Sequence, residues 1–330
     1  MILRPYQEKL LADLFAWVAA HPGQNPIVAA CVGAGKSVLL AEFCKRVFAR
    51  YSAARIVMAV RSRELCRQNA DKLTRVWSQA PLGILSAGMN SRRIDSITYG
   101  TIATLYRRGT HLGHVDVLLV DECHDIPRKD EGMYRKLIAD LRRWNPGMTV
   151  IGWTGTPYRG NGVWLHAHEN GVEPIFHGIA AQVTIAELLE AGFLSPLRVQ
   201  QTATRIDTSG IRVRGDDYTE KEIAAVADVP QIVEAACREI VHYGANRRRW
   251  LAYAVNIQHA EHVCTALRAL GVDAEMITER TASGDRDRWI RAHVAGTLRC
   301  LVSVGALTTG FDSPGTDLIA LLRPTKSSVL

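Results

Sequence analysis

The chain has 330 residues, 47% hydrophobic and 22% charged, and a formal net charge of +7. That length suggests about two domains, each with its own core, and the positive balance weakly favours a polyanionic partner. No apolar run is long enough to span a bilayer, no signal peptide is visible, and the seven cysteines form no C-x-x-C pair. Together these features point to reduced thiols in a cytoplasm, with no membrane role and no zinc site.

Leu3 to Val18 carries apolar residues at helical spacing, and His21-Pro22-Gly23 stops the pattern. At its start, Arg4-Pro5-Tyr6-Gln7 reads in two ways. It is either a plain helix beginning with an early proline, or an adenine site in which Gln7 reads the base edge and Arg4 stacks on the ring. The residues after Gly23 favour the adenine site. The run Ile27-Val28-Ala29-Ala30 leads into Cys31-Val32-Gly33-Ala34-Gly35-Lys36-Ser37, and an amphipathic run leads out. Strand, glycine-rich turn and helix form the setting of a phosphate-binding loop. Gly33 and Gly35 let backbone N–H groups face a phosphate, Lys36 reaches the β- and γ-phosphates, and Ser37 holds Mg²⁺. Ala30 stands where the usual first glycine would be.

Ile56 to Val60 reads as a buried strand, followed by a helix to Trp77 with Ser62 as its cap. Ser96 to Gly100 repeats the arrangement before Thr101-Ile102-Ala103-Thr104. Two such strand ends on one sheet face can hold successive phosphates of a nucleic-acid backbone. Val115 to Val120 is the most apolar strand and runs into Asp121-Glu122-Cys123-His124. Carboxylates at such an end lie where α/β folds bind ligands. Asp121 is expected to take Mg²⁺ through water, and Glu122 to orient the attacking water. Thr149 to Trp153 reads as a further core strand ending in Thr154-Gly155-Thr156-Pro157-Tyr158-Arg159, a hydroxyl-lined loop placed to sense the nucleotide.

Gly160 to Gly178 shows no clear period, and its histidines 166, 168 and 177 read as surface groups rather than metal ligands. Ile185 to Gly192 reads as a helix, Leu197 to Gln201 as a last strand of the first domain, and Thr202 to Asp228 as a polar connection with a hairpin near Gly210 and Gly215. Helices over 232–243, 257–270 and 285–293 then alternate with strands over 250–255, 272–277, 300–304 and 318–322, which describes a second parallel sheet. The arginine groups 92–93, 107–108, 142–143 and 247–249 are spread out and read as solvated surface.

These strings occur in a telling order, and Tyr253-Ala254-Val255-Asn256 and Thr308-Thr309-Gly310-Phe311-Asp312-Ser313-Pro314 continue it. The series resembles the DEAD/DEAH-like superfamily 2 helicases and translocases over nearly the whole chain. Leu307 to Lys326 looks especially like the RadD DNA-repair group. The resemblance implies an α/β fold of two tandem RecA-like (P-loop NTPase) domains, with ATP between them and nucleic acid across their tops. It implies an ATP-binding domain over 1–201, a connecting segment over 202–228 and a second domain over 229–330. It assigns hydrolysis to Lys36, Asp121, Glu122 and His124, and nucleotide contacts to Arg4, Gln7, Gly33, Ala34, Gly35, Lys36, Ser37, Val38, Gly310 and Asp312. Ser37 and Asp121 would serve Mg²⁺. Thr154 and Thr156 become the coupling motif, and Arg63, Thr101, Arg159, Asn256 and Thr308 the strand contacts. The implied activity is ATP-driven movement on nucleic acid, DNA favoured over RNA, in repair or recombination. A single-strand DNA-binding or recombination protein is the implied protein partner. An ATP-gated DNA clamp and the motor subunit of a restriction complex are the alternatives.

Two departures qualify the resemblance. Glu279-Arg280 stands where the family has glycine-aspartate. The family's arginine motif, Q-x-x-G-R-x-x-R, is expected only a few residues beyond Leu330. The sequence is therefore expected to be a piece of a longer protein, or one with little turnover of its own.

Overall fold

The computed structural model describes residues 2–127, 132–159, 162–168, 171–214, 217–307, 313 and 315–325. It divides into two compact units, Met1–Pro196 and Leu197–Leu330.

In the first unit the opening helix is α1 (Pro5–Ala20), with proline in its first turn and Leu10, Leu11 and Leu14 as its buried stripe. Then come β1 (Pro26–Ala30), α2 (Lys36–Arg50), β2 (Ile56–Val60) and α3 (Arg63–Val76). β3 (Leu82–Ser86), β4 (Ser91–Arg92), β5 (Ile97–Thr101) and the single turn α4 (Ile102–Leu105) come next. β6 (Val117–Asp121), α5 (Met133–Arg142), β7 (Thr149–Thr154), β8 (Gly178–Val183) and α6 (Ile185–Glu190) complete the unit.

The eight strands form one sheet in the order β4-β3-β5-β2-β6-β7-β1-β8. Every neighbouring pair is parallel except the short edge pair β3 and β4. Strands buried on both faces read as continuous apolar runs, and β1, β2 and β6 do so because helices cover both sides. One apolar layer packs α1, α2 and α3 on the sheet, and the other packs α4 and α5 on its opposite face. Leu118, Leu119 and Val120 are fully buried, each contributing about 1.5–3 kcal/mol. That burial fixes where Asp121 emerges.

Three details differ from the sequence reading. Leu197–Gln201 is not a strand: Leu197 and Val199 are 85% and 92% exposed, with no sheet beside them to bury against. The sheet ends instead on β8, which starts where the stretch with no clear period ends and precedes the helix expected over 185–192. It is an edge strand, Gly-Ile-Ala-Ala-Gln-Val, in which only Ala181 and Val183 are buried. β3, β4 and α5 are further elements beyond the sequence expectation, whereas α4 falls where a helix is expected after β5.

The second unit begins in irregular chain and carries an antiparallel pair, β9 (Val213–Arg214) with β10 (Asp217–Tyr218). Two helices succeed it, α7 (Glu220–Ala227) and α8 (Pro230–Tyr243). β11 (Trp250–Tyr253), α9 (Ile257–Ala269), β12 (Ala274–Ile277), α10 (Ser283–Ala295), β13 (Cys300–Ser303) and β14 (Leu318–Leu321) then alternate. These four strands are all parallel, in the order β12-β13-β11-β14. All seven cysteines are buried and unpaired. Among the described residues no helix is long and apolar enough to cross a membrane.

Candidate nucleotide site

The glycine-rich loop joins the end of β1 to the start of α2. Gly33 and Gly35 have φ of +84° and +81°, a left-handed conformation that a Cβ would strain, so the tight turn depends on glycine at both positions. Gly35 is the residue before α2, and Lys36, Ser37 and Val38 open that helix. Its first N–H groups and positive dipole end therefore face the loop, as anion binding requires.

β6 lies two strands away from β1, with β7 between, so the two strand ends are separated by about 10 Å. The long Lys36 side chain crosses that gap. Its Nζ lies 3.0 Å from Asp121 Oδ1 and also pairs with Glu122 Oε1. Burial alone would depress the Lys36 ammonium, but the Asp121 and Glu122 carboxylates more than offset this and hold its pKa above the ordinary value.

Asp121 is itself buried, and every oxygen is engaged. Oδ1 also accepts the Glu122 backbone N–H at 3.0 Å, and Oδ2 accepts from Asn69 Nδ2 at 2.9 Å. Glu122 sits at φ 51°, ψ 52°, rare for a side-chain-bearing residue, and this turns its carboxylate toward Lys36 as β6 ends. Two carboxylates thus face one ammonium. Hard oxygen donors with excess negative charge suit Mg²⁺.

His124 links this acidic turn to the end of β7. Its Nδ1 lies 2.8 Å from Thr154 Oγ1 and 3.4 Å from Glu122 Oε2. Thr154 Oγ1 donates to the Thr156 carbonyl and accepts the Thr156 N–H, both at 3.0 Å. Nδ1 of His124 thus faces two oxygens, Thr154 Oγ1 and Glu122 Oε2, either of which can accept its proton when Nδ1 carries one. Arg159 Nη1 donates to the His124 carbonyl at 3.5 Å.

The residues expected at adenine meet on the other side of the loop. The Gln7 amide accepts the Arg4 N–H at 3.0 Å and donates to the Ala34 carbonyl at 2.9 Å, which also accepts from the Tyr6 hydroxyl at 3.1 Å. The Arg4 guanidinium lies over the Phe193 ring at 4.9 Å, and Tyr6 packs on the same ring. Phe193 and Asn69 escape the sequence reading. Asn69 has a signal: it is the polar member of the buried face of α3, among Leu65, Cys66, Ala70 and Leu73. Phe193 lies just past α6 and has none.

Arg63 opens α3 after β2, with its Nε donating to Glu64 at 2.8 Å, and Thr101 closes β5, its hydroxyl 3.0 Å from that of Thr104. Both strands are parallel to β1 and β6, so these residues share the sheet edge of the nucleotide loop. In the second unit Asn256 caps α9, accepting the His259 N–H at 2.9 Å beyond the end of β11. Thr308, Gly310 and Asp312 lie outside the described residues.

Residues 1–159 match the family model described as "Type III restriction enzyme, res subunit". The whole chain aligns at 22% identity with the Saccharomyces cerevisiae protein named "Putative ATP-dependent helicase IRC3", covering 48% of that protein. The chain spans about half the length of curated relatives it matches. Among solved structures, it superposes along its full length on 26% of the ATP-dependent Type ISP restriction-modification enzyme LlaBIII bound to DNA, with TM-score 0.67 and 13% identity. Helicase Lhr of Mycobacterium smegmatis, bound to ssDNA and AMP-PNP, gives TM-score 0.58 and 15% identity over 97% of this chain and 44% of its own. The fold these likenesses show is that of tandem RecA-like domains.

Proposed function

We propose that the chain is an ATP-dependent nucleic-acid translocase or helicase, with its hydrolytic centre at Lys36, Asp121 and Glu122. The observation that carries this reading is the meeting of Lys36 with both carboxylates from a loop 85 residues earlier in the chain than Asp121. Lys36 and the loop N–H groups bind the β- and γ-phosphates, and Glu122 holds and polarises the attacking water. Ser37 and, through water, Asp121 would hold Mg²⁺, which supplies charge neutralisation at the phosphates. Gln7 reads the adenine edge, and the Arg4, Tyr6 and Phe193 cluster walls its ring. Through His124, the state of Glu122 is felt at Thr154 and Thr156, and this carries hydrolysis to the nucleic-acid contacts Arg63, Thr101 and Arg159 of the first unit, while Asn256 is a contact in the second.

DNA is the favoured track, a preference supported by the restriction-enzyme family match and by the DNA-bound neighbour. The match also favours a second reading, the motor of a restriction complex, which would track duplex DNA without separating it. The RadD-like repair role and a single-strand DNA-binding or recombination partner rest on the motif string near the C-terminus alone. Phosphate release is to be measured with no nucleic acid, with single- and double-stranded DNA and with RNA. DNA is expected to accelerate it most. Nucleotide-dependent DNA binding with no stimulated release would replace the motor with a clamp, and equal stimulation by RNA would remove the preference.

A further inference from the structure

The four parallel strands of the second unit give its sheet two unlike edges. Asn256 lies beyond the C-terminal end of β11. The residues preceding the strands mark the opposite edge: Arg249 before β11, Asp273 before β12, Arg299 before β13 and Asp317 before β14. A four-residue strand separates the edges by about 13 Å. At the N-terminal edge opens a groove of about 580 Å³ whose lining includes Arg247, Arg248, Arg249 and Arg299. Among the described residues Asp273 is the one carboxylate in that lining.

Two of the four arginines build the frame. Arg299 lies over the Trp250 ring at 4.3 Å and donates to the Gly244 and Arg247 carbonyls, each at 3.0 Å, just past the end of α8. Arg249 Nη1 donates to the Val294 carbonyl at 2.8 Å, in the last turn of α10. Both cations therefore sit at the negative ends of helices, where they are favoured. Asp317 accepts the backbone N–H groups of Arg248 and Arg249 at 2.9–3.0 Å and fixes the chain there.

Arg247 and Arg248 are left over. Both side chains are exposed, and among the described residues neither side chain makes a hydrogen bond or an ion pair, their bonds being backbone ones. The groove offers no aromatic or large aliphatic side chain to anchor a peptide, its apolar lining being alanine and glycine. Guanidinium forks without an apolar anchor match phosphate oxygens. We propose that this groove is a second contact for the phosphate backbone of nucleic acid, at the sheet edge opposite the motif-bearing one. It holds a strand by charge, without reading sequence and independently of ATP hydrolysis.

The test is fluorescence anisotropy of a labelled single-stranded DNA bound to the full chain across a salt series. Arg247→Ala/Arg248→Ala is expected to weaken binding several-fold and to flatten the plot of log affinity against log salt by about 0.7 for each phosphate no longer neutralised. Arg247→Lys/Arg248→Lys keeps the charges and the slope, and Asp273→Asn tightens binding. These side chains are exposed, so melting temperatures should match the parent's, and the lysine pair gives a second reading at unchanged charge. Unchanged affinity and slope in the alanine pair would overturn the proposal. A polyaspartate peptide that binds as tightly, with the same dependence on Arg247 and Arg248, would overturn it in favour of an acidic protein partner.

Discussion

Asp121 is the residue on which the site's geometry turns, because its two oxygens hold Lys36, the Glu122 backbone and Asn69 at once. Asn69→Leu leaves a buried carboxylate oxygen without its donor, a loss of about 1–3 kcal/mol. The expected result is a less stable first unit and weaker hydrolysis, read by chemical denaturation and phosphate release; a variant equal to the parent in both would show that Asn69 positions nothing. Thr154 presents a different case. Thr154→Val removes the hydroxyl that serves His124 and Thr156 while keeping its shape. Unstimulated hydrolysis should survive and stimulation by DNA should fall several-fold. Equal losses in both rates would make Thr154 a part of the chemistry instead of the coupling. Lys36, Asp121 and Glu122 are legible in the sequence because a tight loop and a strand end each demand particular residue types at fixed spacing. Phe193 is not, since a ring that meets Arg4 and Tyr6 from a distant part of the chain leaves no local pattern.

Among the elements, β7 runs between the two functional strands, and it does so in little space. A Cβ on Gly152 would stand 2.7 Å from the Phe176 ring and 2.8 Å from Cys123 Sγ. Gly152→Ala is therefore expected to cost roughly 1–3 kcal/mol by overpacking and to disturb Cys123, the neighbour of both Glu122 and His124. Denaturant unfolding checks the first effect; an unchanged midpoint would mean that Phe176 moves aside freely. Long periodic helices such as α1, α3, α8 and α9 are readable with ends within a few residues, because a buried stripe repeats every three to four positions. β8 is not readable: an edge strand that buries few side chains has no alternation to betray it. Leu197 to Gln201 misleads for the converse reason, since apolar residues there have strand character but no partner strand.

For the molecule as a whole, stability should depend on pH through the second unit. Burial lowers the pKa values of His259 and His293 below the ordinary 6.5, so the unfolded chain binds their protons more readily than the folded one. Stability is then complete above about 6.5 and is lost as pH falls from there toward the lowered folded values. Thermal unfolding of the second unit should occur at lower temperature on acidification through that window, and His293→Gln should flatten the dependence; a flat profile in the parent chain would contradict this. The two-domain α/β plan is visible in the alternation of strands and helices, whereas the basic groove is not. Arg247-Arg248-Arg249 looks like any solvated run until folding brings Arg299 beside it. The central claim, that Glu122 activates water for ATP hydrolysis, is tested most directly by comparing Glu122→Gln with the parent chain, measuring ATP affinity and DNA-stimulated phosphate release on the same samples. Release should fall at least a hundredfold while ATP remains bound. Release that continues at the parent's rate would contradict it.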